Sequence, residues 1–327
     1  MTKEMNAAIV SPKTIAVIFL KSEAIKNWHD NCMYNTQLLK RLINKKMRLK
    51  KERWSITMPG KQSYWWQYKS WKEIVEQSKE CDIAIIPLGS IEQHGLHLPT
   101  GHDTLQLFPM LERVAEQTGA MLMPCPWYGA HPHHHWDFPG TVPLSNDTCK
   151  AMIKDIVRGA AVAGYNKFIL FFGHGQAFVT NYTVQDLGQE GFYVLSVMFQ
   201  NSVRDVHNQI FETPFWHADE AETSIALSLF PEYTDMNLAV KELATPLLSR
   251  EFVTGPTEEK SSKPMRFDEG TVSAPEYKDL ESGVVGDPLL ATKEKGDQYV
   301  DAIVDRMVAM VNSIKKDYPA GTKIETN

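Results

Sequence analysis

The chain has 327 residues, 43% of them hydrophobic, and carries 34 Lys and Arg against 40 Asp and Glu, a formal charge of -6. This supports a sizeable buried core and gives no global attraction for nucleic acid or an anionic membrane. No run reaches the ~18 apolar residues that span a bilayer, and the apolar stretch 7–20, broken by Pro12 and Lys13, lacks the basic start and cleavage site of a signal peptide.

Residues 1–55 read as an extension of unknown role, ending in a basic run of Lys45, Lys46, Arg48, Lys50, Lys51 and Arg53 of the kind that usually forms a solvated face. From Tyr64 the pattern becomes regular. Trp71 to Lys79 reads as an amphipathic helix, and Asp82 to Leu88 (DIAIIPL) as a buried parallel strand. Thr104 to Thr118 is an expected helix, with Asp103 placed to cap it. Ala120 to Pro124 is a second strand, Asn146 to Gly164 a helix after Ser145, and Lys167 to Phe172 (KFILFF) a third strand. A helix over Asn181 to Glu190, a strand over Tyr193 to Phe199 and a helix over Ala221 to Phe230 follow. The polar stretch from Val253 to Lys278 reads as a long loop, and Gly296 to Ile314 as a terminal helix. The alternation predicts an α/β fold, one domain over 56–327 with a central, mainly parallel sheet flanked by helices on both faces.

Ligands of such sheets bind beyond the carboxyl ends of the strands, and the polar clusters fall there. After the first strand comes GSIEQHGLHLPTGHDT, residues 89–104; after the third comes Gly173-His174-Gly175; ahead of a helix comes His217-Ala218-Asp219-Glu220-Ala221-Glu222. A single His or Glu at such a place is more often a cap or surface group than a ligand, and His97 and His102 taken alone read that way. Three clusters of ligand-type residues at three element ends do not. Imidazole and carboxylate together suit a pair of divalent ions such as zinc or manganese, and one carboxylate can bridge ions ~3.5–4 Å apart. Glu92 and His94, two apart, would share one side of an extended segment. The histidine-rich stretch His131 to Asp137 could form a metal site of its own, and reads more simply as a substrate loop; Trp127, Trp136 and Trp216 could wall a pocket, although Trp127 and Trp136 serve equally well as core residues.

Residues 89–104 resemble the signature of the creatininase (creatinine amidohydrolase) family. Phe138 to Thr141, Gly173 to Gly175, His217-Ala218 with Glu222 to Ser224, and Gly283 to Pro288 with Ala291-Thr292 extend the resemblance over roughly 60–314. It implies a metal-dependent, cytoplasmic hydrolase that assembles as a homo-oligomer, often a hexamer, and holds two divalent ions, Zn2+ and/or Mn2+. Carried over by motif, Glu92, Asp103 and His174 hold one ion, and His94, Asp103 and a glutamate the other. In creatininase proper that glutamate stands two residues after the histidine matching His174, where this chain has Gln176. The ligand is therefore assigned to Glu222, with Glu220 the substitute. Metal-bound hydroxide would attack a ring carbonyl, with His217 as the acid-base group, Glu222 beside it, and His135, Trp136, Gln176 and Trp216 as substrate contacts. Family members open cyclic amides such as creatinine, deaminate or deformylate small nitrogen compounds, process a peptide tail, or open a diketo-inositol as 3-dehydro-scyllo-inosose hydrolases. Gln176 and the extra histidines His133 and His134 depart from creatininase proper and favour a polyhydroxylated ring over creatinine. A non-catalytic metal-binding partner is the reading from another class. Four cysteines, Cys32, Cys81, Cys125 and Cys149, form no CxxC pair and read as reduced thiols. Met47 offers an alternative start to the chain, since the family-like part begins soon after it.

Overall fold

In the computed structural model, the residues described are 63–243, 245, 246, 249, 277, 278 and 280–325. The extension over 1–55, the basic run, the alternative start at Met47, Cys32, and the expected loop over 253–278, apart from its last two residues, lie outside them.

Ser70 begins helix α1 (Trp71–Glu80), accepting a hydrogen bond from the Glu73 amide while the Glu73 carboxylate accepts from the Ser70 amide. Strand β1 (Ile83–Pro87) is buried along its whole length, as expected of a strand covered on both sides. Helix α2 (His102–Leu105) runs into α3 (Leu107–Thr118) with a break at Gln106, and the short strand β2 (Met121–Leu122) follows. Asp103 lies inside α2, and its carboxylate accepts a hydrogen bond from Ser90 Oγ at 2.6 Å. The expectation that Asp103 caps the helix is thus overturned, because its side chain faces the strand-end loop.

Ser145 caps α4 (Asn146–Val162), accepting from the Thr148 amide, and β3 (Lys167–Phe172) comes next. Helix α5 (Ala177–Gln189) begins four residues earlier than expected, right behind Gly173-His174-Gly175. After β4 (Tyr193–Met198) come two short helices that the sequence reading passed over, α6 (Phe199–Ser202) and α7 (Arg204–Ile210). Asp219 caps α8 (Glu220–Leu229), accepting from the Ala221 and Glu222 amides. Strands β5 (Thr245–Pro246) and β6 (Tyr277–Lys278) form a separate antiparallel pair, and α9 (Lys293–Asp317) closes the fold.

The main sheet has the order β2-β1-β3-β4, all parallel. Alternate residues feed two cores. Ile83, Ile85, Ile169 and Phe171 pack on one face with Leu111 of α3, Ile225 of α8 and Ile303 of α9. Ala84, Ile86, Phe168 and Leu170 pack on the other with Ile74 of α1, Ile153 of α4 and Leu187 of α5. That period of two is what a parallel sheet between helical layers requires. Gly296 of α9 crosses α8 so closely that a Cβ there would lie 1.9 Å from the Ser224 carbonyl oxygen.

From β1 the chain moves out to β2, then returns past β1 to β3. The direction of winding therefore reverses between β1 and β3, and the crevice beyond their carboxyl ends is the place for a ligand.

Candidate metal centre

The loop after β1 delivers Glu92, His94 and His97, and the start of α2 His102 and Asp103; the loop after β3 delivers His174; the approach to α8 delivers His217 and its first turn Glu222. All eight side chains are buried. Gly89 permits this convergence, since a Cβ there would lie 2.0 Å from Thr104 Oγ1.

Asp103 stands between two groups. Its Oδ1 lies 3.4 Å from His94 Nε2 and its Oδ2 lies 3.2 Å from His174 Nδ1. Glu92 Oε2 lies 2.7 Å from the same His174 nitrogen, and Glu222 Oε2 lies 3.6 Å from His94 Nε2. The histidines are fixed by their other nitrogens: His94 Nδ1 donates to the Glu92 carbonyl at 3.1 Å, and His174 Nε2 donates to the Ala130 carbonyl at 2.8 Å. Backbone carbonyls only accept, so the opposite nitrogens, His94 Nε2 and His174 Nδ1, face carboxylates as lone pairs unless the ring takes a second proton. Acceptors aimed at acceptors need positive charge between them, either a proton or a cation.

His217 sits beside this cluster. Its Nε2 donates to the Gln93 carbonyl at 2.8 Å, and its Nδ1 lies 3.9 Å from Glu222 Oε2. The neighbouring Ala218 has a φ of 49°, in the left-handed region that a residue with a Cβ rarely adopts, and its amide donates to Glu222 Oε2 at 2.6 Å. The Gly283 to Pro288 motif packs here: His217 pairs with Val285 in an antiparallel bridge, and Gln93 Nε2 donates to the Gly283 carbonyl at 2.9 Å.

His135, on a 3-10 turn over His133–His135, places Nδ1 2.9 Å from Glu92 Oε1. Trp136, 47% exposed, donates from Nε1 to the His131 carbonyl at 3.1 Å, and Trp127 is 40% exposed, so neither is a core residue. Trp216 is half-buried beside His217. Gln176 is fully buried and donates from Nε2 to the Leu88 carbonyl at 3.2 Å, which commits its amide to the strand end. Glu220 accepts from the amides of Glu212 and Thr213 and pairs with Lys295, outside the metal groups. His97 bonds Thr223 Oγ1 through Nε2 at 2.9 Å.

Three groups among the described residues bring nitrogen and carboxylate ligand atoms within 4.8 Å of one another: His94, His102, Asp103 and Glu222; Glu92, His131 and His174; and Glu92, His94 and His217. From sequence, the His131 to Asp137 stretch reads as a possible metal site of its own and His102 alone as a cap or surface group, and neither residue is assigned to the two-ion centre. Both ring nitrogens of His102, Nε2 of His131 and Nε2 of His94 are buried without a hydrogen-bond partner, and each ring, once neutral, has one lone-pair nitrogen to offer a cation. The donor set fits two divalent ions: the three carboxylates Glu92, Asp103 and Glu222 offset most of the charge, and the imidazoles supply borderline-soft nitrogen.

The protein's own charges polarise the site. Burial disfavours the Glu92 carboxylate, yet His135, His174 and His217 hold it well below the usual range. Burial likewise opposes ionisation of Asp103, and His94 and His174 outweigh it. His94 is pushed up to about 10, Asp103 and Glu222 outweighing its burial, and His174 is raised by Glu92 and Asp103 against the same opposition. Burial beside Asp103 and Asp219 drives Glu222 well above the usual carboxyl range. Burial with His94 lowers His102 to about 3, and burial with His174 lowers His131 to about 4, leaving both neutral and able to bind a cation.

A creatinine amidohydrolase profile matches residues 67–311. The chain belongs to the creatininase family. A 3-dehydro-scyllo-inosose hydrolase from Thermotoga maritima is 34% identical over 270 residues, 79% of this chain and 85% of that protein. A creatinine amidohydrolase from Pseudomonas putida is 30% identical over 191 residues, 52% of this chain and 74% of the relative. A solved creatininase in its manganese form superposes with a TM-score of 0.62 at 24% identity, covering 79% of this chain and 99% of that one, a likeness of fold. The creatininase match lies within the span marked out by the sequence motifs, and the four-stranded parallel sheet is the architecture they implied.

Proposed function

We propose that this creatininase-family chain is a two-metal hydrolase that opens a small polar ring. The observation that carries the reading is Asp103, whose two carboxylate oxygens face His174 on one side and His94 on the other. On this reading Glu92, Asp103 and His174 would hold one divalent ion, and His94, Asp103 and Glu222 the second, Asp103 being shared by both. Zinc and manganese both suit the donor set. Bound there, the ions would supply Lewis acidity and would lower the pKa of water to roughly 7.

The chain's own groups then do the rest. Water adds its oxygen to a ring carbonyl, the adjoining ring bond breaks, a carboxylate forms and the leaving atom takes up a proton. His217 is the group assigned to move that proton: its Nε2 is anchored on the Gln93 carbonyl, which leaves Nδ1 toward Glu222. Glu222 shares this role as the carboxyl that His217 Nδ1 faces. His135, which orients Glu92, and the indoles of Trp136 and Trp216 are the substrate contacts of this reading. Gln176 is better placed as a support, because its amide is spent on Leu88.

For the substrate we favour 3-dehydro-scyllo-inosose, a diketo-inositol, over creatinine. The Thermotoga maritima relative named for that substrate covers most of both chains. Gln176, in place of the glutamate of creatininase proper, weakens the case for creatinine. Protein loaded with zinc or manganese should open the diketo-inositol, followed by mass spectrometry, and turn over creatinine far more slowly. Turnover of creatinine alone would reverse that order, and no turnover of any ring compound with both ions bound would return the non-catalytic reading. We place the protein in the cytoplasm as a homo-oligomer, a hexamer on the family resemblance. Sedimentation in solution tests the assembly. Among the described residues no helix is long and apolar enough to cross a membrane.

A further inference from the structure

The family motifs account for three ligands at each ion, and they leave His131 without a role. His131 lies at the mouth of the histidine-rich turn, just after Ala130, which bridges to Leu144. Its side chain is 3% exposed. Nδ1 lies 3.0 Å from the Gly129 carbonyl, which only accepts, so the ring proton sits on Nδ1 and Nε2 carries a lone pair. That Nε2 is buried and has no hydrogen-bond partner. The ring stands 4.4 Å from the ring of His174, and ligand atoms of Glu92, His131 and His174 fall within 4.8 Å of one another.

The same arrangement recurs at His94 and His174, where one ring nitrogen donates to a backbone carbonyl and the other faces the carboxylates. Metal-binding histidines are characteristically held this way, because the bond to the carbonyl fixes the tautomer and aims the lone pair. A bare second nitrogen is not enough by itself, since His207, outside the metal groups, bonds the Thr213 carbonyl through Nε2 and leaves Nδ1 bare; at His131 the ligand atoms of Glu92 and His174 lie within 4.8 Å as well.

We propose that His131 is a fourth protein ligand, through Nε2, of the ion held by Glu92, Asp103 and His174. The inference rests on the two-metal reading above. It also ties the ion to the substrate side of the site. The His131 carbonyl accepts from Trp136 Nε1 at 3.1 Å, and the turn between them carries His135 against Glu92. The ion thereby anchors the loop that faces the substrate.

The test compares wild type with His131→Ala, both loaded with cobalt and titrated with a competing chelator. The variant should lose at least about 10-fold in affinity for one ion, keep the other unchanged, and show an altered cobalt visible spectrum. Two ions held at wild-type affinity with an unaltered spectrum would overturn the proposal. Should His131→Ala fail to fold, judged by circular dichroism, the wild type loaded with NMR-active cadmium decides the matter. One-bond coupling between cadmium and His131 Nε2 supports the proposal. Its absence in a spectrum that shows coupling at His94 and His174 overturns it. A wild type that binds fewer than two ions would overturn the two-metal reading, and this inference with it.

Discussion

Lys167 and Asp82 form a buried ion pair at the amino ends of the strands, away from the metal centre. Lys167 is 0% exposed and Asp82 is 2% exposed. Lys167 Nζ donates to both Asp82 oxygens, at 2.8 and 2.7 Å, and to Asn166 Oδ1 at 2.9 Å; Asp82 also accepts from the Gly321 amide at 2.9 Å. Lys167→Met keeps most of the side-chain volume and leaves the Asp82 carboxylate buried without its cation. Breaking such a pair from one side costs about 3–5 kcal/mol, and at about 2–4 °C per kcal/mol for a domain near this size the melting temperature should fall by roughly 6–20 °C. Removing both charges is a different perturbation. In Lys167→Met with Asp82→Val the stranded charge is gone, and the Gly321 amide, at an exposed turn, can turn to water. The double variant should therefore recover at least about 2 kcal/mol relative to the sum of the single effects. Urea denaturation of wild type, both single variants and the double variant measures each term. A loss under about 1 kcal/mol in Lys167→Met, or strict additivity in the double variant, would refute the reasoning.

Gly296→Ala should lower stability by about 1–3 kcal/mol in a thermal melt, because its Cβ would meet the Ser224 carbonyl oxygen at 1.9 Å and force α8 and α9 apart; a neutral result would mean that the crossing relaxes freely. Gln176→Glu should not rebuild a metal ligand. It replaces the amide that donates to the Leu88 carbonyl with a carboxylate facing that oxygen, so the melt should fall by about 1–3 kcal/mol with metal content unchanged, and a gain in metal affinity would contradict this. Metal affinity should depend on pH. Without metal, His94 holds its proton up to about 10, so binding must displace it; affinity should rise about tenfold per pH unit for each proton released, and level off above about 10. A flat profile in chelator competition between acid and alkaline buffers would refute it.

How far the sequence could be read depended on the kind of signal. Strands β1 and β3 were plain from DIAIIPL and KFILFF, because a strand buried on both faces leaves no polar position to confuse the pattern. The ligand groups were legible through their place after strands, where backbone direction turns side chains into one crevice. The start of α5 leaves no mark in the sequence, because its first turn, Ala177 to Thr180, lacks a side-chain cap and follows directly on the site loop. In sequence Asp103 has the position of a cap, because a carboxylate just ahead of an apolar helical stretch looks the same whether it bonds backbone amides or meets Ser90, 13 residues back. That His102 and His131 meet this particular cluster is not legible in sequence for a related reason. The bond of His131 Nδ1 to the Gly129 carbonyl and the packing of the His102 ring on Phe230 both follow from tertiary structure.

The most direct test of the account is the metal content of the purified protein by inductively coupled plasma mass spectrometry, with Asp103→Asn beside it. The account predicts two divalent ions per chain in the wild type and loss of at least one in the variant, since a neutral amide cannot bridge them. One ion or none in the wild type, or two retained in Asp103→Asn, would contradict it.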